Sequence, residues 1–222
     1  MPLPDATAIE NALHNFVRIY LKSQSKTDEK ALSDLSLDPI PVLLHCSLTG
    51  LETKQDLLKA EKWRRLDKAF SNAIGKFHEE VLCSVSGWYK PKTGFDLRND
   101  QEKIIVEMKN KHNTMNSSSA KDTHEKCARF IQSNPDWQVY LATIVPKKGR
   151  VSKPWVIAGR TPHPRISLID GATLYAMVCG VDDALEQVYS LLPEMMARKN
   201  YPLSEEGHDW FQNLYENLYS TD

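Results

Sequence analysis

Cysteine is scarce in this chain, and the four present (Cys46, Cys83, Cys127, Cys179) are far apart, with no CxxC pair among them. That spacing gives no zinc site and no disulfide framework. It reads as free, buried thiols in a reducing compartment. Long apolar runs are missing too. No window of 18 residues is both apolar and uncharged, so no segment is expected to span a membrane. The opening stretch, MPLPDATAIENALHNF, lacks the basic and apolar regions of a secretory leader. Internal repeats and low-complexity tracts are absent as well. Together these absences lead to the expectation of a cytoplasmic protein.

What is present is ordinary globular composition, 41% hydrophobic and 26% charged over 222 residues, enough for a real core. The net charge of −1 argues little by itself, but its distribution says more. Residues 76–165 carry 16 Lys and Arg against 9 Asp and Glu, a net of +7, whereas residues 166–222 carry 2 against 10, a net of −8. A basic middle beside an acidic tail hints at a polyanion-binding face, although unevenly solvated charge gives the same count.

Hydrophobic spacing predicts helices over 6–22 and 55–82. In the second, Trp63, Leu66, Phe70, Ile74, Phe77 and Val81 form one stripe. On a wheel of 100° per residue Glu79 falls opposite the stripe and is expected to be solvated, while Glu80 falls at its edge. Residues 23–40 read as a polar connector, and 41–50 as a helix or a strand. The period then changes. A turn cluster at 90–94 leads to a strand start at Phe95-Asp96-Leu97, a turn at 99–102, and a strand over 103–109 (KIIVEMK). That strand puts Ile105, Glu107 and Lys109 on one face and Ile104, Val106 and Met108 on the other. A polar loop, a helix over 120–133 capped by Ser118 or Ser119, strands over 137–145 and 154–158, and helices over 171–192 and 204–219 follow. The fold class is α/β: a central mixed β-sheet flanked by helices, with helices at both ends. We read one domain over 1–222, with an N-terminal helical extension (1–55), an α/β core (56–165) and acidic C-terminal helices (166–222).

Chemistry concentrates in residues 94–111, GFDLRNDQEKIIVEMKNK. A hairpin here brings Asp96 beside Glu107. Two neighbouring carboxylates are costly unless a cation lies between them. Magnesium suits hard oxygen ligands and retains waters. Lys109, two residues after Glu107, points the same way and can reach a metal-bound water or a phosphate. Those are the parts of phosphodiester hydrolysis. An ionic edge strand would show the same pattern, but the apolar opposite face makes this strand largely buried, where unused charges are expensive.

The Asp96 … Glu107-Met108-Lys109 arrangement resembles the PD-(D/E)xK nuclease superfamily. The run Lys109-Asn110-Lys111-His112-Asn113-Thr114, the segment from Ile169 to Gly180 (IDGATLYAMVCG) and Leu191-Leu192-Pro193 resemble more closely the type II restriction endonucleases that recognise GGWCC or GGNCC. The resemblance spans roughly residues 60–220. It departs in having Phe95, not proline, before Asp96. It implies a restriction-endonuclease-like α/β/α core, Mg2+-dependent cleavage of double-stranded DNA and a homodimer acting on a near-palindromic site. It also implies a cognate DNA methyltransferase that acts on the same site without stable binding. Asp96 and Glu107 would be metal ligands and Lys109 the catalytic lysine, with Glu80 as a helix-borne acid at the metal.

The loop at 111–119 is the candidate DNA contact, through Lys111, Asn113, Thr114, Asn116, Ser117 and Ser118, residue types that bond phosphates and base edges. A solvated loop that merely caps the next helix is its rival reading. Residues 147–153 read as a basic hairpin tip or an exposed turn. Arg160 and Arg165 are candidate guanine contacts, and His112 reads as a phosphate contact or as nothing. The alternatives for the whole chain are a repair or junction nuclease of the same superfamily, a catalytically silent DNA-binding module, and a structural protein.

Overall fold

The computed structural model describes residues 4–28, 37–51, 53–92 and 94–219. Of the connector expected over 23–40, residues 23–28 instead continue the first helix and 39–40 open the second, while residues 29–36 lie outside the described residues, as does Thr93 of the expected turn cluster.

Seven helices and five strands follow one another among the described residues as α1 (Ala6–Asp28), α2 (Pro39–Thr49), α3 (Lys54–Cys83), β1 (Leu97–Asn99), β2 (Ile104–Lys111), α4 (Ser117–Ser133), β3 (Gln138–Val145), β4 (Ser152–Pro154), β5 (Ile166–Asp170), α5 (Gly171–Cys179), α6 (Ala184–Arg198) and α7 (Glu205–Tyr219). The mixed α/β expectation therefore holds. The sheet order is β1-β2-β3-β5-β4, with β2, β3 and β5 parallel and both outer strands antiparallel. The parallel β2–β3 pair is joined through α4, as parallel strands require a crossover.

The chain divides into two compact units, Leu13–Phe77 and the remainder (Met1–Ala12 with His78–Asp222). In the helical unit, Phe70 meets Phe16 and Tyr20 edge-on, with centroids 5.1 and 6.1 Å apart. Asp38 caps α2 by accepting the Ile40 N–H, and Gly50, at φ 69°, ends it in the left-handed region. The expected stripe of α3 is only partly buried: Leu66, Phe77 and Val81 are inside, while Trp63 is 62% exposed. Ala73, His78 and Leu82 are also buried, so the covered face is turned relative to the stripe.

The sheet unit is built on a core of Phe95, Ile105, Cys127, Ile131, Trp137, Val139, Leu141, Trp155 and Ile166. Ile105, Val139, Leu141 and Ile166 come from three adjacent parallel strands, and Cys127 and Ile131 come from α4. Burying each large aliphatic side chain contributes about 1.5–3 kcal/mol, which holds α4 against the sheet beside β2. His78, fully buried at the end of α3, pairs through Nδ1 with the Tyr175 hydroxyl of α5 at 2.8 Å.

Four sequence expectations need correction. The helix over 171–192 is two helices, because Gly180 (φ 70°) closes α5 by donating its N–H to the Ala176 carbonyl. The strand expected at 154–158 is β4, ending at Pro154. Trp155 beyond it is buried and donates its N–H to the Ile166 carbonyl. The inner strand β5 is not among the strands expected from the sequence. Residues 147–153 do not form the tip of a hairpin between neighbouring strands, since β5 lies between β3 and β4.

Candidate active site

The turn expected between β1 and β2 is present. Asn99 Oδ1 accepts the Glu102 N–H at 3.0 Å, and Lys103 adopts φ 54° to enter β2. The register pairs Leu97 with Val106, yet the Asp96 N–H also reaches the Val106 carbonyl at 2.9 Å. Asp96 and Leu97 thus share one partner, the pattern of a β-bulge, which re-aims a side chain at a strand end. The Asp96 carboxylate then takes the Met108 N–H through Oδ2 at 2.6 Å, continuing the ladder with a side-chain acceptor.

This puts Asp96 within the field of Glu107. Burial pushes the Asp96 carboxyl above its ordinary range, the Met108 N–H opposes that shift, and the charge of Glu107 reinforces it. Glu107 is itself buried, 8% exposed, and both of its oxygens are engaged. Oε1 accepts from Lys109 Nζ at 2.7 Å and Oε2 from Lys126 Nζ at 2.5 Å. The three residues singled out in the sequence, Asp96, Glu107 and Lys109, are therefore brought together. Lys126, on α4, was not foreseen. The available signal was its place on the helix after the ExK strand, next in sequence to buried Cys127.

The expectation that Glu79 is solvated needs revision. Glu79, expected in solvent, has a side chain 15% exposed, pairs with Lys90 at 2.6 Å and adds its charge to the upward shift of Asp96. Glu80 is half-buried. The wheel failed here because the buried face of α3 is turned away from the sequence stripe.

As a metal site, the donor set is two carboxylates, all hard oxygen. Magnesium is held by one or two carboxylates together with waters and substrate phosphate, so these residues fit it. Among the described residues no group of three His, Cys, Asp or Glu side chains gathers, so a full protein cage of the calcium or zinc kind is not formed.

The expected DNA-contact residues follow Lys109 in the chain and are exposed: Lys111, Asn113, Thr114, Asn116, Ser117 and Ser118. Their structure differs from a plain loop. Lys111 is the last residue of β2, and its carbonyl accepts from Thr114 Oγ1 at 2.8 Å. Asn116, not Ser118 or Ser119, caps α4 by accepting the Ser119 N–H at 2.8 Å, and Ser117 and Ser118 open the helix. His112 is exposed in the turn, its N–H bonded to the Val145 carbonyl. Arg160 pairs with Glu125 at 3.0 Å, whereas no such ion pair engages Arg165 among the described residues. Arg150, in the basic 147–153 stretch, reaches Asp170 at 3.4 Å and the Thr173 hydroxyl at 3.3 Å. All four cysteines are free, with Cys127 and Cys179 buried. No helix among the described residues is long and apolar enough to cross a membrane.

The type II restriction enzyme Eco47II of Escherichia coli is 28% identical over 220 residues, covering 92% of this chain and 90% of that protein. The type II restriction enzyme Sau96I of Staphylococcus aureus is 29% identical over 154 residues, covering 64% of this chain and 59% of that protein. The model of the Eco47II restriction endonuclease family matches residues 4–199, a span that includes both carboxylates, both lysines and the capped loop. The chain belongs to the Eco47II restriction endonuclease family.

Proposed function

We propose that this restriction endonuclease hydrolyses phosphodiester bonds of double-stranded DNA with Mg2+, as a homodimer on a short near-palindromic site of the GGWCC or GGNCC form. The observation that carries the reading is the convergence of Asp96, Glu107 and Lys109 at the bulged end of β1 and β2. Asp96 and Glu107 are the metal ligands in this reading. The α3 acid beside them was expected to be Glu80, while the field at Asp96 favours Glu79. Magnesium, when bound, lowers the pKa of a water and draws charge from the phosphate. Lys109, its side chain 26% exposed, keeps an ammonium at the mouth of the site, where positive charge stabilises a crowded phosphate.

Lys111, Asn113, Thr114, Asn116, Ser117 and Ser118 then meet the duplex beside the scissile bond. The exposed start of α4 offers N–H groups of the kind that bind phosphate. A two-fold dimer reads a two-fold site, and an odd central pair is read without strict preference. Specificity comes from flanking G·C pairs, whose guanines offer N7 and O6 to Lys or Arg. A cognate methyltransferase protects the same sequence without a stable complex.

Digestion of a sequenced plasmid with Mg2+, followed by sequencing of the ends, tests this. Discrete ends sharing a G·C-flanked motif support it. Cleavage confined to junctions or flaps would favour a repair nuclease instead.

A further inference from the structure

Glu107 is held by two ammonium groups, one on each oxygen, and they arrive from different elements. Lys109 reaches Oε1 from two residues along the same strand. Lys126 reaches Oε2 from α4, 19 residues away. Lys126 has two further attachments. Its ammonium donates to the Gly94 carbonyl and lies 4.3 Å from the centre of the Phe95 ring. Gly94 and Phe95 lead directly into Asp96. One ammonium therefore ties both carboxylate-bearing segments to α4, the helix that opens at the exposed 116–118 turn. Its side chain is 31% exposed, so it is not locked away from solvent.

We infer that Lys126 is an internal counterion of the metal site: its ammonium neutralises Glu107 and fixes the Gly94–Asp96 approach in the metal-free protein, and a divalent cation competes with it for Glu107. This deepens the nuclease reading and rests on it. Lys126 is a positioning residue, and Lys109 retains the role at the phosphate. A buried carboxylate left with one fewer cation is destabilised, and a site relieved of one positive charge binds a divalent ion more tightly.

The two consequences separate this role from a merely structural one. Lys126→Met keeps the aliphatic stem. Without metal the variant should melt below wild type. Mn2+ should raise its melting temperature by more than it raises that of wild type. Calorimetric titration of Mn2+ into the protein should show affinity stronger by on the order of tenfold. Lys126→Arg keeps the charge and should behave like wild type in both measurements. Lys126→Met with unchanged or weaker Mn2+ affinity, and with the same metal-induced stabilisation as wild type, overturns the inference. If Lys126→Met does not fold, Mn2+ titration of Lys126→Gln decides by the same criterion. Glu107→Gln in the wild-type background is the separate control. If it leaves Mn2+ binding intact, the metal-site reading itself is wrong.

Discussion

Two aspartates at strand ends, half-buried Asp96 and fully buried Asp170, are treated in opposite ways. Asp170, completely buried at the end of β5, is fully supplied with donors. Oδ1 takes the Thr173 N–H at 2.9 Å, Oδ2 takes the Val151 N–H and the Thr173 hydroxyl at 2.6 Å each, and Arg150 stands at 3.4 Å. Next to it, Gly171 packs so closely that a Cβ would lie 2.6 Å from the Ile144 carbonyl oxygen. Asp96 takes one donor among the described residues, the Met108 N–H, and is crowded by the charges of Glu107 and Glu79. A buried acid whose lone pairs are all matched is a structural node that sets loop and helix in place. A half-buried acid left short of donors beside other acids is a place for a cation.

The largest effect expected from this contrast is on activity at Asp96 and Glu107. Asp96→Asn and Glu107→Gln should each lower cleavage by at least about a hundredfold. Asp96→Asn should melt no lower than wild type in metal-free buffer, because burial disfavours the charge that it removes. Loss of cleavage caused by unfolding would break the contrast, and a melting curve beside the rate shows which has happened.

At the structural node the sign reverses. Asp170→Ala should cost about 3–5 kcal/mol of stability by leaving Arg150 and two N–H groups without their acceptor. Gly171→Ala should cost about 1–3 kcal/mol by overpacking. Denaturant unfolding measures both. Whatever remains folded should still cleave at near the normal rate per folded molecule, and a folded but inactive Asp170→Ala protein would place the node in the chemistry.

A smaller effect distinguishes the neighbouring acids on α3. Glu79→Ala should slow cleavage more than Glu80→Ala, since the Glu79 charge is felt at Asp96. Relative single-turnover rates check this, and the opposite order would restore Glu80 as the helix-borne acid.

The smallest effect is in the pH dependence of stability. Burial lowers the His78 pKa from 6.5 to about 4. A histidine that resists protonation when folded contributes stability that is complete above the unfolded pKa and declines as pH falls through 6.5 toward 4. Melting temperature should drop over that window, and replacing His78 by Gln should flatten the drop even as it lowers the neutral-pH value.

The contrast also shows how much of this molecule was legible beforehand. The ExK strand was readable because Ile104, Val106 and Met108 alternate with Ile105, Glu107 and Lys109, and alternation is a local property of a strand. The pairing with Asp96 followed from the turn. The bulge at Asp96 did not, because it depends on β2 continuing past the end of β1. β5 was missed since ISLID is short and its burial comes from β3 and β4 on either side, which are distant in sequence. Glu79 was misplaced because Trp63 and Phe70, apolar but substantially exposed, steered the helical stripe. Lys126 was invisible because a lysine on an amphipathic helix reads as solvated until the strand beneath it is known.

The most direct measurement is cleavage of a sequenced plasmid in Mg2+ by the wild-type protein and by Glu107→Gln side by side, with the ends sequenced and the melting temperatures of both proteins recorded. The wild type should give discrete fragments whose ends share one short, near-palindromic, G·C-flanked motif, and the folded Glu107→Gln protein should leave the plasmid intact. Cleavage by folded Glu107→Gln at a near wild-type rate would contradict the assignment of this carboxylate pair as the hydrolytic centre.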